Sequence, residues 1–153
     1  MRVCGIDPGV SGALCVLDEV DPAYVALLDL RKHSIYDATR WLVLQNVDVV
    51  WLEDVHSLFG MSAKSNFGFG RNLGIVIAIS QIVTRGVEAK LVTPKVWQKY
   101  IGVTVKGKAI KQQVAQLAAS LYPSAVLHGK QGGLLDGRSD ALMLAYYGLK
   151  HKE

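Results

Sequence analysis

The chain has 153 residues, half of them hydrophobic and a fifth charged, with a formal net charge of +4. That length suits one domain with a proper core and is too short for two comfortable ones, and no apolar run approaches the roughly 18 residues of a membrane span. The only cysteines, Cys4 and Cys15, lie in apolar strand candidates, which argues for reduced core thiols in a cytosolic (cytoplasmic) protein and against a disulfide framework or thiolate metal site.

In chain order, residues 3–17 (VCGIDPGVSGALCVL) predict two buried strands around a turn at Pro8, Gly9 and Gly12. The chain enters the first strand directly, without the h-region of a signal peptide. Residues 24–31 (YVALLDLR) read as a third strand after an Asp21-Pro22 turn, which implies an antiparallel meander. Ile35, Ala38, Trp41, Leu42 and Gln45 recur at helical spacing over residues 35–46. Residues 47–55 (VDVVWLEDV) are almost continuously apolar, the pattern of a central strand covered on both faces. Residues 56–71 read as a loop with unusual apolar content in Phe59, Met61, Phe67 and Phe69. Residues 73–85 predict a helix buried on most of its surface and stopped by Gly86.

A short strand at 88–92 precedes a helix opened by Pro94 and running to about Ile101. Residues 102–107 form a basic loop, and 108–121 an amphipathic helix that Pro123 stops. Residues 128–135 (HGKQGGLL) read as a flexible glycine-rich segment before a last helix at 137–149. No repeat, linker or low-complexity tract interrupts the chain. The pattern predicts a single layered domain over 1–153, α/β or α+β, with helices over a sheet.

Charge is distributed unevenly. Residues 1–63 carry nine acidic against four basic side chains. Residues 64–135 carry ten basic ones (Lys64, Arg71, Arg85, Lys90, Lys95, Lys99, Lys106, Lys108, Lys111, Lys130) against Glu88 alone. This imbalance favours a polyanion partner, most commonly nucleic acid. An anionic membrane surface lacks its usual sign, a basic amphipathic helix with exposed aromatics.

Several carboxylates stand where structure alone gives them little reason to be. Asp7 ends the first strand, Glu53 lies late in an apolar strand, and Asp54 must point to the opposite face from Glu53. Asp136 and Asp140 are four apart at the start of the last helix and share one face. Each also has a plain role available. Asp7 can hydrogen-bond the backbone two residues on, as Asp-Pro-Gly turns do. Glu53 can pair with a lysine, Asp136 can cap the helix, and Asp140 can meet its dipole. If the carboxylates converge, they need a cation. Hard oxygen donors without a Cys/His set favour Mg²⁺ or Mn²⁺ over Zn²⁺. Two such ions about 4 Å apart can drive phosphodiester hydrolysis beside a basic, phosphate-binding surface.

GIDPGVSG with ALCVL, then VVWLEDV, SNFGFGRNLGIVIAI, KLVTPKVWQKYIGV, KGKAIKQQVAQLA and DGRSDALMLAYYGL together resemble the RuvC-type Holliday junction resolvases, with the nearest likeness to the shorter phage and prophage branch. The ordered set spans nearly the whole chain. The resemblance implies an RNase H-like α/β fold, a five-stranded mixed sheet with helices on both faces. It also implies a homodimeric, Mg²⁺-dependent endonuclease (Mn²⁺ substituting) that cuts branched DNA to leave 5′-phosphate and 3′-hydroxyl ends. Carried over by position, Asp7, Glu53, Asp136 and Asp140 are the metal ligands, although DGRSD spaces its acids four apart where the bacterial pattern has three. Lys111 matches the basic residue near the scissile phosphate, for which Lys106 and Lys108 can substitute or simply be solvated. Where bacterial members carry a lysine, this chain has Trp97 between Lys95 and Lys99. His56 and Phe59 stand nearest the family's junction-wedging aromatic, and a plain loop histidine is the alternative for His56. Lys64 and Arg71 complete the candidate DNA contacts, and Phe67 and Phe69 fit dimer packing. The rival functions are an RNase H-fold nuclease for structured RNA, a non-cleaving branched-DNA-binding module, and a nucleotide-binding half-domain whose partner half this length excludes.

Overall fold

A computed structural model describes residues 1–55 and 60–151. Strands β1 (Arg2–Ile6), β2 (Ala13–Asp18) and β3 (Val25–Asp29) form the expected antiparallel meander. Strands β4 (Val49–Glu53) and β5 (Lys90–Val92) extend the sheet in parallel from the other side of β1, in the order β3-β2-β1-β4-β5. Among the described residues five α-helices accompany them: α1 (Ile35–Gln45), α2 (Ala63–Val83), α3 (Pro94–Tyr100), α4 (Ala109–Leu121) and α5 (Asp136–Lys150). Among the described residues no helix is long and apolar enough to cross a membrane.

The two-residue alternation of the strands divides the core into two layers. Val3, Ala13, Cys15, Leu17 and Trp51 pack towards α5, with residues of α3 and α4 in the same cluster. Cys4, Ile6, Leu14, Val16, Val50 and Leu52 pack towards α1 and α2. Helices therefore cover both faces. Cys4 and Cys15 are buried free thiols on opposite faces.

α5 is buried nearly all round, with Ala141, Leu142, Met143, Leu144 and Ala145 fully enclosed. Its approach to the sheet is set by Gly5, where an added Cβ would lie 2.1 Å from the Ala141 carbonyl oxygen and 2.4 Å from the Ala145 nitrogen. Only glycine at that point lets the helix backbone rest on β1. At the start of α5, Gly137 packs equally tightly, since a Cβ there would meet the Ser11 carbonyl oxygen at 2.0 Å.

Several elements depart from the pattern read in the sequence. Residues 63–71 are helical rather than loop. Ser62 Oγ accepts from the Ser65 amide at 3.1 Å and starts α2 there. That cap and the apolar residues after position 72 outweigh Gly68, Gly70 and Gly74, each worth about 1 kcal/mol against alanine. Nor is this helix buried on most of its surface: Val76, Ile79 and Ser80 are inside, while Ile82 is 66% exposed. The third strand stops at Asp29 and turns into a short 3₁₀ helix, Leu30–Lys32. The glycine-rich stretch before α5 is held as a hairpin by a His128–Leu134 bridge and by the Leu135 amide donating to the Leu127 carbonyl at 2.8 Å.

Candidate active site

β1 and β4 run parallel with Ile6 beside Leu52, so Asp7 and Glu53 leave the sheet at the same edge. Ile6 and Leu52 face α1 and α2, so the next residue on each strand turns towards α5. Glu53 is only 9% exposed, and its partner is no lysine: Trp97 Nε1 on α3 donates to its Oε1 at 3.0 Å. Asp7 does make the expected turn, its Oδ1 accepting from the Gly9 amide at 2.9 Å. Gly12 closes that loop, its amide donating to the Gly9 carbonyl at 2.9 Å.

The acids of α5 come in from above the sheet. Ala141 lies over Gly5, which puts Asp140 beyond it at the level of Asp7. Asp136 is not the N-cap; that position is Leu135, which offers no side-chain bond, and Asp136 is already the first helical residue. It is engaged instead by Lys111 of α4, whose ammonium donates to Asp136 Oδ2.

These groups share one electrostatic field. Burial, reinforced by repulsion from Asp7, Glu53 and Asp136, pushes Asp140 up to about 8. Burial and then the charge of Asp7 push Glu53 up to about 7 against the opposing Trp97 hydrogen bond. Asp7 is also raised, chiefly by burial with Asp136 adding, while the Gly9 amide and Lys111 counteract. Lys111 is raised by its bond to Asp136 and by the charges of Asp140 and Asp7. Asp7, Glu53, Asp136, Asp140 and Lys111 thus lie within reach of one another's charge, with Lys111 and Asp136 in direct contact.

Among the described residues no three acidic, His or Cys side chains converge closely enough to hold an ion as they stand. The donor set nevertheless fits a hard divalent cation. It consists of carboxylate oxygens alone, and the raised Glu53 and Asp140 mark a place where added positive charge is favoured.

The other candidates lie around this cluster. Lys95 and Lys99 are exposed on α3, to either side of the fully buried Trp97, whose indole turns inward to Glu53 and presents nothing to a phosphate. Lys106 and Lys108 are exposed between α3 and α4, where Gln113 Oε1 fixes the loop by accepting from the Thr104 and Val105 amides at 2.9 and 3.2 Å. Lys64 and Arg71 are exposed on α2, which packs on the other face of the sheet from α5. Phe67 is 77% exposed on the same helix. His56 and Phe59 lie outside the described residues. Sequence reasoning missed the role of Trp97 as the partner of Glu53. It also missed an ion pair between Arg138 and Asp29, whose one available signal was an arginine between the two acids of DGRSD.

A mixed five-stranded sheet in this order with helices on both faces is the RNase H-like fold. Within that class the chain is similar to RuvC of Thermus thermophilus in complex with Holliday junction substrate, at TM-score 0.57 and 16% identity over 97% of this chain and 94% of that one. It is likewise similar to another structure of Thermus thermophilus RuvC (TM-score 0.57, 18% identity, 97% and 95% covered). A third likeness is to the fowlpox virus resolvase in complex with Holliday junction DNA (TM-score 0.55, 17% identity, 98% and 97% covered). No family model and no curated protein matches the chain.

Proposed function

We propose that this chain is a Holliday junction resolvase, a Mg²⁺-dependent endonuclease that cleaves four-way and related branched DNA by phosphodiester hydrolysis and also accepts Mn²⁺. The reading is supported by the shared electrostatic field of Asp7, Glu53, Asp136, Asp140 and Lys111 near the ends of β1 and β4, on a fold shared with two resolvases solved on junction DNA.

Asp7, Glu53, Asp140 and Asp136 would hold the cation. When bound, it supplies Lewis-acid activation and charge neutralisation at the phosphodiester. Trp97 keeps Glu53 oriented through its indole N–H. The Lys111 side chain is 64% exposed, so its ammonium can swing from Asp136 to a phosphate oxygen and offset the charge that develops there. Lys95, Lys99, Lys106 and Lys108, extended by Lys64 and Arg71 on α2, supply affinity for the DNA backbone without reading sequence.

A homodimer suits a two-fold substrate, because paired sites make symmetric cuts. The face that fits it runs over α1 and α2, where Leu44, Tyr36 and Ile82 are 72%, 69% and 66% exposed. Val43 lines a hollow with Leu44 and Tyr36 and another with Ile82, which makes that face continuous.

The test is a cleavage comparison in Mg²⁺ of a four-way junction, a flap and a structured RNA, with products mapped on both strands. Symmetric nicks across the junction are expected. Preferred cutting of the RNA would replace this reading with its RNA-processing rival.

A further inference from the structure

The four acids repel one another, and the helix that brings two of them has no side-chain cap at its start. Something must hold that end of α5 against the sheet edge. Arg138 is placed to do so, midway between Asp136 and Asp140 and two residues from each, which puts it on the opposite side of the helix from them. Its Nε donates to Asp29 Oδ1 at 2.6 Å and its Nη2 to Asp29 Oδ2 at 2.8 Å, the two-pronged geometry that fixes orientation as well as distance. Its Nη1 donates to the Val126 carbonyl at 2.8 Å. The Arg138 and Asp29 side chains are largely shielded, at 19% and 14% exposure.

Asp29 in turn belongs to the frame that carries Asp7. It ends β3 in register with Ala13, and the next amide, Leu30, donates to the Gly12 carbonyl at 3.0 Å. Gly12 closes the loop that begins at Asp7. The ion pair therefore ties the first turn of α5 to the same loop that holds the opposing carboxylate, across 109 residues of sequence.

We propose that Arg138 and Asp29 are positioning residues for the acid cluster: their clamp holds Asp136 and Asp140 against Asp7 and thereby sets the affinity for divalent cations. The inference rests on the metal-dependent reading above. It gives the pair a mechanical part, as partners behind metal ligands have when their loss weakens metal binding about 10–100-fold.

The experiment is Mn²⁺ binding by calorimetry to the whole protein without DNA, alongside the Mg²⁺ dependence of junction cleavage. Two variants leave the local net charge unchanged: Arg138→Lys, which loses the fork, and the double change Arg138→Met with Asp29→Asn, which loses both charges. A shift in metal affinity in either reports geometry rather than charge. The expected result is a Mn²⁺ dissociation constant raised at least about tenfold in both, with cleavage largely recovered at high Mg²⁺ and with folded circular dichroism spectra at the assay temperature. Either variant suffices if the other fails to fold, and Arg138→Lys keeps a cation against Asp29. Wild-type Mn²⁺ affinity in a folded variant overturns the clamp alone. Absence of Mn²⁺ binding by the wild-type protein overturns the metal-dependent reading and the clamp with it.

Discussion

Removing the Lys111 ammonium takes one positive charge away from Asp136, Asp140 and Asp7 together. Lys111→Met is therefore expected to move two measurements in opposite directions. Cleavage in single-turnover assays should slow by about 100-fold, the scale of losing one charge-stabilising donor, while Mn²⁺ binding tightens because a competing cation has gone. Unchanged metal affinity would mean that the lysine does not compete for the acids. The pH dependence of stability follows from the same cluster. Unfolded, Glu53 and Asp140 ionise near pH 4, whereas folded they keep their protons to about 7 and about 8. Between those limits the native state binds more protons than the unfolded chain, so stability falls as pH rises, by up to about 1.4 kcal/mol per pH unit for one group. In chelator the melting temperature should drop between about pH 4 and 8, and Asp140→Asn should flatten the curve. A flat wild-type curve would show that burial and mutual repulsion do not raise these acids in the folded protein.

At the scale of elements, the seat of α5 on β1 is the contact most sensitive to a single methyl group. Gly5→Ala would place a carbon 2.1 Å from the Ala141 carbonyl oxygen, and neither backbone can yield cheaply. A loss of about 3 kcal/mol is expected, at the upper end of ordinary overpacking, or roughly 6–12 °C in melting temperature. Because Asp140 rides on the displaced turn, Mn²⁺ affinity should weaken as well, measured on the protein that remains folded. A wild-type melting temperature would mean that the helix sits farther from the strand. The elements themselves were legible in the sequence where hydrophobic periodicity and a stop signal coincided: β1, β2, α1 with its Asn46 end, and α3 opened by Pro94. The first part of α2 departs from the loop expected there because Gly68 and Gly70 mimic loop chemistry, and nothing local reveals that Ser62 caps a helix through them. Its exposure was misjudged for a related reason: an apolar helix looks the same whether its outer face meets another layer of this chain or none.

At the scale of the whole molecule, the acids of the cluster were legible because charge in an apolar strand or at a helix start is conspicuous. Their meeting was legible only through the family resemblance, since from the residues alone it depends on parallel pairing of β1 with β4 and on Gly5 admitting α5, both long-range facts. The Trp97–Glu53 bond and the Asp29–Arg138 tie were illegible for a related reason: they join residues 44 and 109 apart, and no local pattern links the partners. The uneven charge of the chain becomes intelligible once folded, with exposed lysines on α3, α4 and the intervening loop flanking an acidic centre. Such a surface draws in a polyanion that the centre alone would repel. The most direct measurement is cleavage of a four-way DNA junction in Mg²⁺ by the wild-type protein and by Asp7→Asn, with junction binding measured in parallel. The expected result is symmetric cutting by the wild type, none by the variant, and similar binding by both. Cutting by Asp7→Asn at the wild-type rate would contradict a nuclease centre built on these carboxylates.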